Sequence, residues 1–214
     1  MVEIGIQSVE EIAKKLTVNN IVGIGIAGSN SYVYTWFKDL EVVIVGSSTD
    51  LGRRSIPYSY DLPGDVSGTD VVGVAIAKVG KDRDWCYAWY NNDMRTAGRS
   101  NDLDKRLTYR NFVMPAGKTV NDIVGMGISS RDFIYTWYKD GTRSYGTSYN
   151  LGKYQAPKAY TLASGKTPND IAAMAIAPND WCYVWYKDYT ISAGSSTDLD
   201  RYQKAHLFKI TVND

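Results

Sequence analysis

A strand pattern in which small and bulky apolar residues alternate recurs four times along the chain, as IVGIGIA (21–27), VVGVAIA (71–77), IVGMGIS (123–129) and IAAMAIA (171–177). Successive side chains of a strand point to opposite faces, so positions such as Gly23, Gly25 and Ala27 leave one face almost bare while Ile, Val and Met fill the other. Four strands crowding a narrow axis would require such a face. Each copy is followed by an aromatic strand that is apolar on both sides: YVYTWFKD (32–39), CYAWYNND (86–93), IYTWYKDG (134–141) and CYVWYKDY (182–189). That pattern predicts a strand covered on both faces. Trp36, Trp89, Trp137 and Trp185 mark the same place in each copy, at separations of 53, 48 and 48 residues. Large apolar residues at matched periodic positions predict core packing.

A turn follows each aromatic strand, plainest in YKDGT (138–142), where Asp-Gly suits a tight hairpin. A third strand then runs to GSSTDL (46–51), GRSNDL (98–103), GTSYNL (146–151) or GSSTDL (194–199), with a fourth candidate at YSYDL (58–62) or KAYTL (158–162). Four short strands per unit at a period near 50 residues predict propeller blades. The expected fold is all-β, a four-bladed β-propeller with four antiparallel strands per blade, forming one domain over 1–214. The blades fall at about 21–70, 71–122, 123–170 and 171–214, and 1–20 forms a closing N-terminal segment. Units two and four share DWCY and DLD, whereas units one and three share YTW and LG, so a pseudo-twofold duplication of a two-blade unit of about 96 residues is also expected.

This arrangement decides how the two cysteines are read. Cys86 and Cys182 hold the same place in blades on opposite sides of the axis, too far apart for a disulfide, and are expected to be free, buried thiols. His206 stands alone, without a partner at metal-ligand spacing. The net charge of +1, with no block of like charges, speaks against a nucleic-acid footprint, and no apolar run reaches the length of a membrane span. The N-terminal stretch lacks a basic-then-hydrophobic leader, so a cytoplasmic protein, or one released without a classical signal peptide, is expected.

Loops carry the candidate chemistry. Where the inner strands end, Trp85 and Trp181 occur in blades two and four only, each beside an acid, Asp84 or Asp180. A flat ring beside hydrogen-bond acceptors suits a carbohydrate or another small ligand with one apolar face. Rings there also serve simply to cap a blade edge. Where the inner strands begin, Asp70, Asp122 and Asp170 stand immediately before them, with Asn20 in the fourth place and Asp214 at the same phase. A ring of carboxylates at a tunnel mouth could hold a calcium or sodium ion; the same residues also cap turns. The acidic residues recur with the repeat, whereas a catalytic pair normally breaks it, and a non-enzymatic module is expected.

The phrases NDIAAMAI (169–176) and YVWYKD (183–188), together with the repeat length and number, resemble the hemopexin-type four-bladed propeller. The resemblance implies a binding domain with an ion in the central tunnel. Hemopexin-type domains usually join first and last blades by a disulfide, which the placement of Cys86 and Cys182 does not allow here. The expected function is lectin-like binding of a carbohydrate or small ligand at two equivalent sites. The alternative is a protein-interaction or targeting scaffold within a larger protein.

Overall fold

In the computed structural model, which describes residues 9–79 and 83–213, the chain winds through four sheets in sequence order. Blade 1 holds β1 (Ile21–Ile26), β2 (Val33–Phe37), β3 (Val42–Gly46) and β4 (Tyr58–Ser59). Blade 2 holds β5 (Val71–Val79), β6 (Arg83–Tyr90), β7 (Met94–Arg99) and β8 (Asp102–Asn111). Blade 3 holds β9 (Ile123–Ile128), β10 (Ile134–Tyr138), β11 (Thr142–Thr147) and β12 (Asn150–Ala159). Blade 4 holds β13 (Ile171–Ile176), β14 (Cys182–Tyr186), β15 (Thr190–Ser195) and β16 (Asp198–Leu207). Each sheet is an antiparallel meander of four strands whose innermost members, β1, β5, β9 and β13, contact one another around an axis. This is a four-bladed β-propeller.

Ring closure is written in three fourfold sets of contacts. The core divides into four apolar clusters, one at each junction of neighbouring blades, and the cluster at the last junction joins Trp185 and Ala175 of blade 4 to Ile24 and Ile44 of blade 1. Every core tryptophan is fully buried and donates its indole N–H to a loop carbonyl of the next blade. Trp36 reaches Ser100 at 2.9 Å, Trp89 reaches Ser148 at 3.0 Å, Trp137 reaches Ser196 at 3.1 Å, and Trp185 returns to Ser48 at 2.9 Å. The segment leaving each outer strand also makes a parallel bridge to the next blade, as Asp61 with Asp102, Val113 with Asn150, Thr161 with Asp198, and finally Lys209 with Asp50. The C-terminal segment thus seals onto blade 1, where Thr211 Oγ1 donates to Asp50 Oδ2 at 2.9 Å. On the other side of the chain, α1 (Val9–Lys15) leads into Leu16 and Val18, both buried in the cluster between blades 4 and 1.

The bare face of each inner strand has a different cause from the one expected. It receives the bulky face of the next blade's inner strand. A Cβ added at Gly25 would sit 2.4 Å from Ile76 Cγ1, well inside contact distance. Small residues therefore face large ones at every junction, which lets the sheets approach without voids. The fourth strand of blade 1 lies within YSYDL, at Tyr58–Ser59, but that of blade 3 is displaced from its expected place: β12 starts at Asn150 and ends at Ala159, so KAYTL mostly follows the strand and carries the crossing to blade 4.

Blades 2, 3 and 4 bury a polar relay. Tyr90, Tyr138 and Tyr186 pair their hydroxyls with Thr96, Ser144 and Ser192 at 2.7, 2.7 and 3.0 Å, and those residues donate in turn to the carbonyls of Leu103, Leu151 and Leu199. Blade 1 has Phe37 and Ile44 at these places, both 0% exposed. Exchanging the two hydroxyl residues together orphans neither of them, although the hydroxyl of Thr35, opposite Ile44, is buried without a partner among the described residues.

Cys86 and Cys182 form no disulfide and are buried, and they belong to different junction clusters. Burial pushes the Cys182 thiol up to about 12, so it carries almost no thiolate at neutral pH. Native protein is therefore expected to resist alkylation and to label only on unfolding, with Cys86→Ala and Cys182→Ala each costing about 1 kcal/mol. Intact-mass analysis showing the loss of the two hydrogens of a disulfide would contradict the blade assignment.

Candidate functional site

The inner strands begin on what we term the near face and end on the far face. The loops after the inner strands and those after the third strands meet on the far face, and between blades 3 and 4 they enclose a groove of about 370 Å³. Blade 3 supplies its aromatic wall. Tyr135 and Tyr145 lie opposite each other in the β10–β11 register and stack at 5.1 Å between ring centroids, while Phe133 leans on Tyr145 at 5.6 Å and on Tyr154 at 5.2 Å. Behind this wall the buried Arg143 guanidinium stands 5.3 Å from the Tyr135 ring and 5.8 Å from that of Tyr145, with a hydrogen bond to Gln155. Burial holds Arg143 below its ordinary pKa, and its Nε has no partner among the described residues.

Blade 4 supplies the opposite wall through Asp180, Ser195, Ser196 and Tyr202. The turn Ala177–Trp181 is closed by backbone hydrogen bonds from Asp180 to Ala177 and from Ala177 to Trp181, both 2.8 Å, with Asp180 in the left-handed region at φ 64°. An aspartate tolerates that conformation better than most residues. Its carboxylate accepts from the Ser130 N–H at 2.7 Å and the Ser130 hydroxyl at 2.8 Å, tying the two blades together across the groove. A carboxylate offers about four acceptor positions, so capacity remains for a ligand hydroxyl.

Trp181 does not form a bare platform. Its half-buried ring stacks on Tyr202 at 5.0 Å and packs against the core between blades 4 and 1, leaving the 47% exposed Tyr202 to face the groove. Trp85 is also half-buried, 6.3 Å from Tyr87 and with the Arg106 guanidinium 5.0 Å away. The side chain of Asp84 lies outside the described residues, as does Asp214. Asp180 is thus brought into the groove, and Trp181 backs Tyr202 rather than lining it.

The sequence reading missed Phe133, Tyr145, Arg131 and Tyr202. A usable signal existed for Tyr145. The residues paired with the first tyrosine of the aromatic strand are Val45, Ala97, Tyr145 and Ala193, so blade 3 alone carries a ring there.

On the near face, Asp70, Asp122 and Asp170 do not converge. Each closes a capping box on a single turn of 3-10 helix: Asp70 accepts from the Ser67 N–H at 2.9 Å, Asp122 from that of Thr119 at 2.7 Å, and Asp170 from that of Thr167 at 2.7 Å. These hydrogen bonds hold all three carboxyls below the usual carboxylate range. Among the described residues no three His, Cys, Asp or Glu side chains come together as a metal-ligand group. The expected carboxylate ring is replaced at the mouth by Lys38, Lys139 and Lys187. His206 lies on β16, its Nδ1 3.1 Å from the Lys204 carbonyl.

No family model matches the chain, and no curated protein does. The hemopexin-type likeness therefore rests on the sequence phrases alone. Solved structures similar to the chain include YCF48 bound to D1 peptide (8% identity over 87% of this chain, TM-score 0.35) and a streptogramin B lyase (10% over 88%, TM-score 0.41). The Cps50 (Swd1) β-propeller domain of Myceliophteria thermophila is a third (14% over 81%, TM-score 0.39). The chain spans about half the length of these three, at 51%, 54% and 50% of each. The assignment of four blades rests on the sheets and junctions described above. No helix among the described residues is long and apolar enough to cross a membrane.

Proposed function

We propose that the protein is a non-enzymatic binding module whose far-face groove between blades 3 and 4 takes a carbohydrate or a small ligand with one flat apolar face. The observation that carries this reading is the composition of the groove. It is a concavity of about 370 Å³ with stacked rings on one wall and Asp180, Ser195 and Ser196 on the other. Rings give contact area to the apolar face of a sugar, and fixed acceptors and hydroxyls orient its rim. Blade 1 has Val45 and Arg54 in the places of Tyr145 and Tyr154, and Arg54 stacks at 4.4 Å over Tyr32. The reading therefore expects one such site per chain, where symmetry of the sequence suggested two.

A glycan array followed by calorimetry tests it. One site is expected, with Tyr145→Ala and Tyr202→Ala each weakening binding about tenfold or more, ~1.4 kcal/mol. Unchanged affinity in both variants, or two equal sites, would count against the groove. A protein-interaction scaffold is the second reading, favoured by Val113 just beyond β8, Leu207 at the end of β16 and Tyr149 in the β11–β12 turn, which are 58%, 76% and 48% exposed. It predicts that Leu207→Asp and Tyr149→Asp, rather than the groove variants, abolish association with a partner protein.

A further inference from the structure

The near-face mouth of the axis is a second concavity, of about 360 Å³, whose chemistry is opposite to that of a cation site. Its floor is apolar, formed by Val22, Val72, Val124 and the backbone around them, all reaching the tunnel from the first turns of the inner strands. Its rim carries lysines at three of four equivalent places, one after each aromatic strand: Lys38, Lys139 and Lys187. The fourth place is Asn91, whose side chain is held by Asp70 at 3.0 Å.

Five of the carboxylates nearby are committed elsewhere, while Asp39, next to Lys38, is exposed. Asp70, Asp122 and Asp170 close their capping boxes, while Asp140 and Asp188 of the adjacent hairpins pair with Lys118 and Lys166. Asp122 is close enough to Lys139 to feel its charge, yet both its hydrogen bonds come from Thr119. Lys187 donates to the Asn169 carbonyl at 2.7 Å and keeps two N–H donors; among the described residues no ion pair forms at Lys38 or Lys139. Three ammonium groups around an apolar floor focus their field into the concavity, because low-dielectric walls screen poorly.

We propose that this axial mouth binds a small, multiply charged oxyanion of the polycarboxylate or phosphoryl class. The lysines meet its charges while the floor excludes water beneath it. The site is separate from the far-face groove and stands whether or not that groove binds a sugar.

Calorimetric titration of the full chain with citrate and with inorganic pyrophosphate in low-salt buffer tests the proposal. Saturable binding of one anion per chain is expected for at least one of them. Binding should weaken about tenfold or more in Lys38→Met/Lys139→Met and again on adding salt to about 0.5 M, where charges are screened beyond a few ångströms. Lys105→Met/Lys204→Met, on the outer strands, should bind as the wild type does. Pyrophosphate alone binding assigns the phosphoryl class, and citrate alone the polycarboxylate class. Neither anion binding, or the rim variant binding as tightly as the wild type, overturns the proposal. Should the double variant melt early, Lys139→Gln alone, at an exposed position, carries the same comparison.

Discussion

Trp185→Ala is expected to destabilise the protein by about 3–5 kcal/mol, the cost of emptying a fully buried indole site. The ring lies at the junction where the last blade meets the first, among Ile24, Ile44 and Leu51. Its N–H is the donor to the Ser48 carbonyl, and removing it leaves that acceptor without its partner as well as a cavity. Trp36, Trp89 and Trp137 make the same bond to Ser100, Ser148 and Ser196 and are expected to behave alike. Trp181→Ala is the internal comparison: its half-buried ring stacks on Tyr202, so a loss of about 1 kcal/mol is expected. Urea unfolding followed by circular dichroism and by fluorescence checks both values. Equal losses at Trp185 and Trp181 would contradict the division between core and loop tryptophans.

Gly194→Ala is expected to cost about 3 kcal/mol, at the upper end for overpacking a fixed site. A Cβ there would stand 1.9 Å from the Asp198 carbonyl oxygen, and that oxygen belongs to the tight turn joining β15 to β16, so the backbone itself must move. The same approach recurs at Gly46, Gly98 and Gly146, at 2.1, 1.9 and 2.0 Å from the matching carbonyl. The recurring geometry of this turn places the serines of the Trp-accepting loops, among them Ser196 in the wall of the far-face groove. Gly64→Ala, with open space around its Cβ, should stay within about 0.5 kcal/mol of the wild type. Thermal melts of the two variants beside the wild type decide the matter.

Much of the architecture was legible because it is repeated. Four copies of one strand pair, with tryptophans at a near-constant period, specify four blades, and the four indole positions mark the core. That the thiols are not bridged followed from the same count. What could not be read was direction at the scale of one side chain. Asp122 precedes its inner strand as a tunnel ligand would, but Thr119, three residues earlier, offers its N–H at 2.7 Å and turns the carboxylate into a cap. The lysines after three of the four aromatic strands looked like parts of ordinary hairpins, and only the closing of the ring brings them to one mouth. Trp181 drew attention as a rare ring at a loop end; Tyr202, from β16, covers it, and a contact between β16 and the loop after β13 has no local signature. Tyr145 was visible as a break in the pattern of small residues, but its meaning depends on the cross-strand partner Tyr135.

The most direct test of the binding account is an NMR titration of tyrosine-ring-labelled protein with the sugar selected by the array. The account predicts saturable shifts, at one ligand per chain, in the ring signals of Tyr135, Tyr145 and Tyr202, which line the groove, with the buried Tyr90 and Tyr186 unmoved. Shifts confined to Tyr149, in the β11–β12 turn and outside the groove lining, or saturable binding that leaves Tyr145 and Tyr202 unchanged, would contradict it.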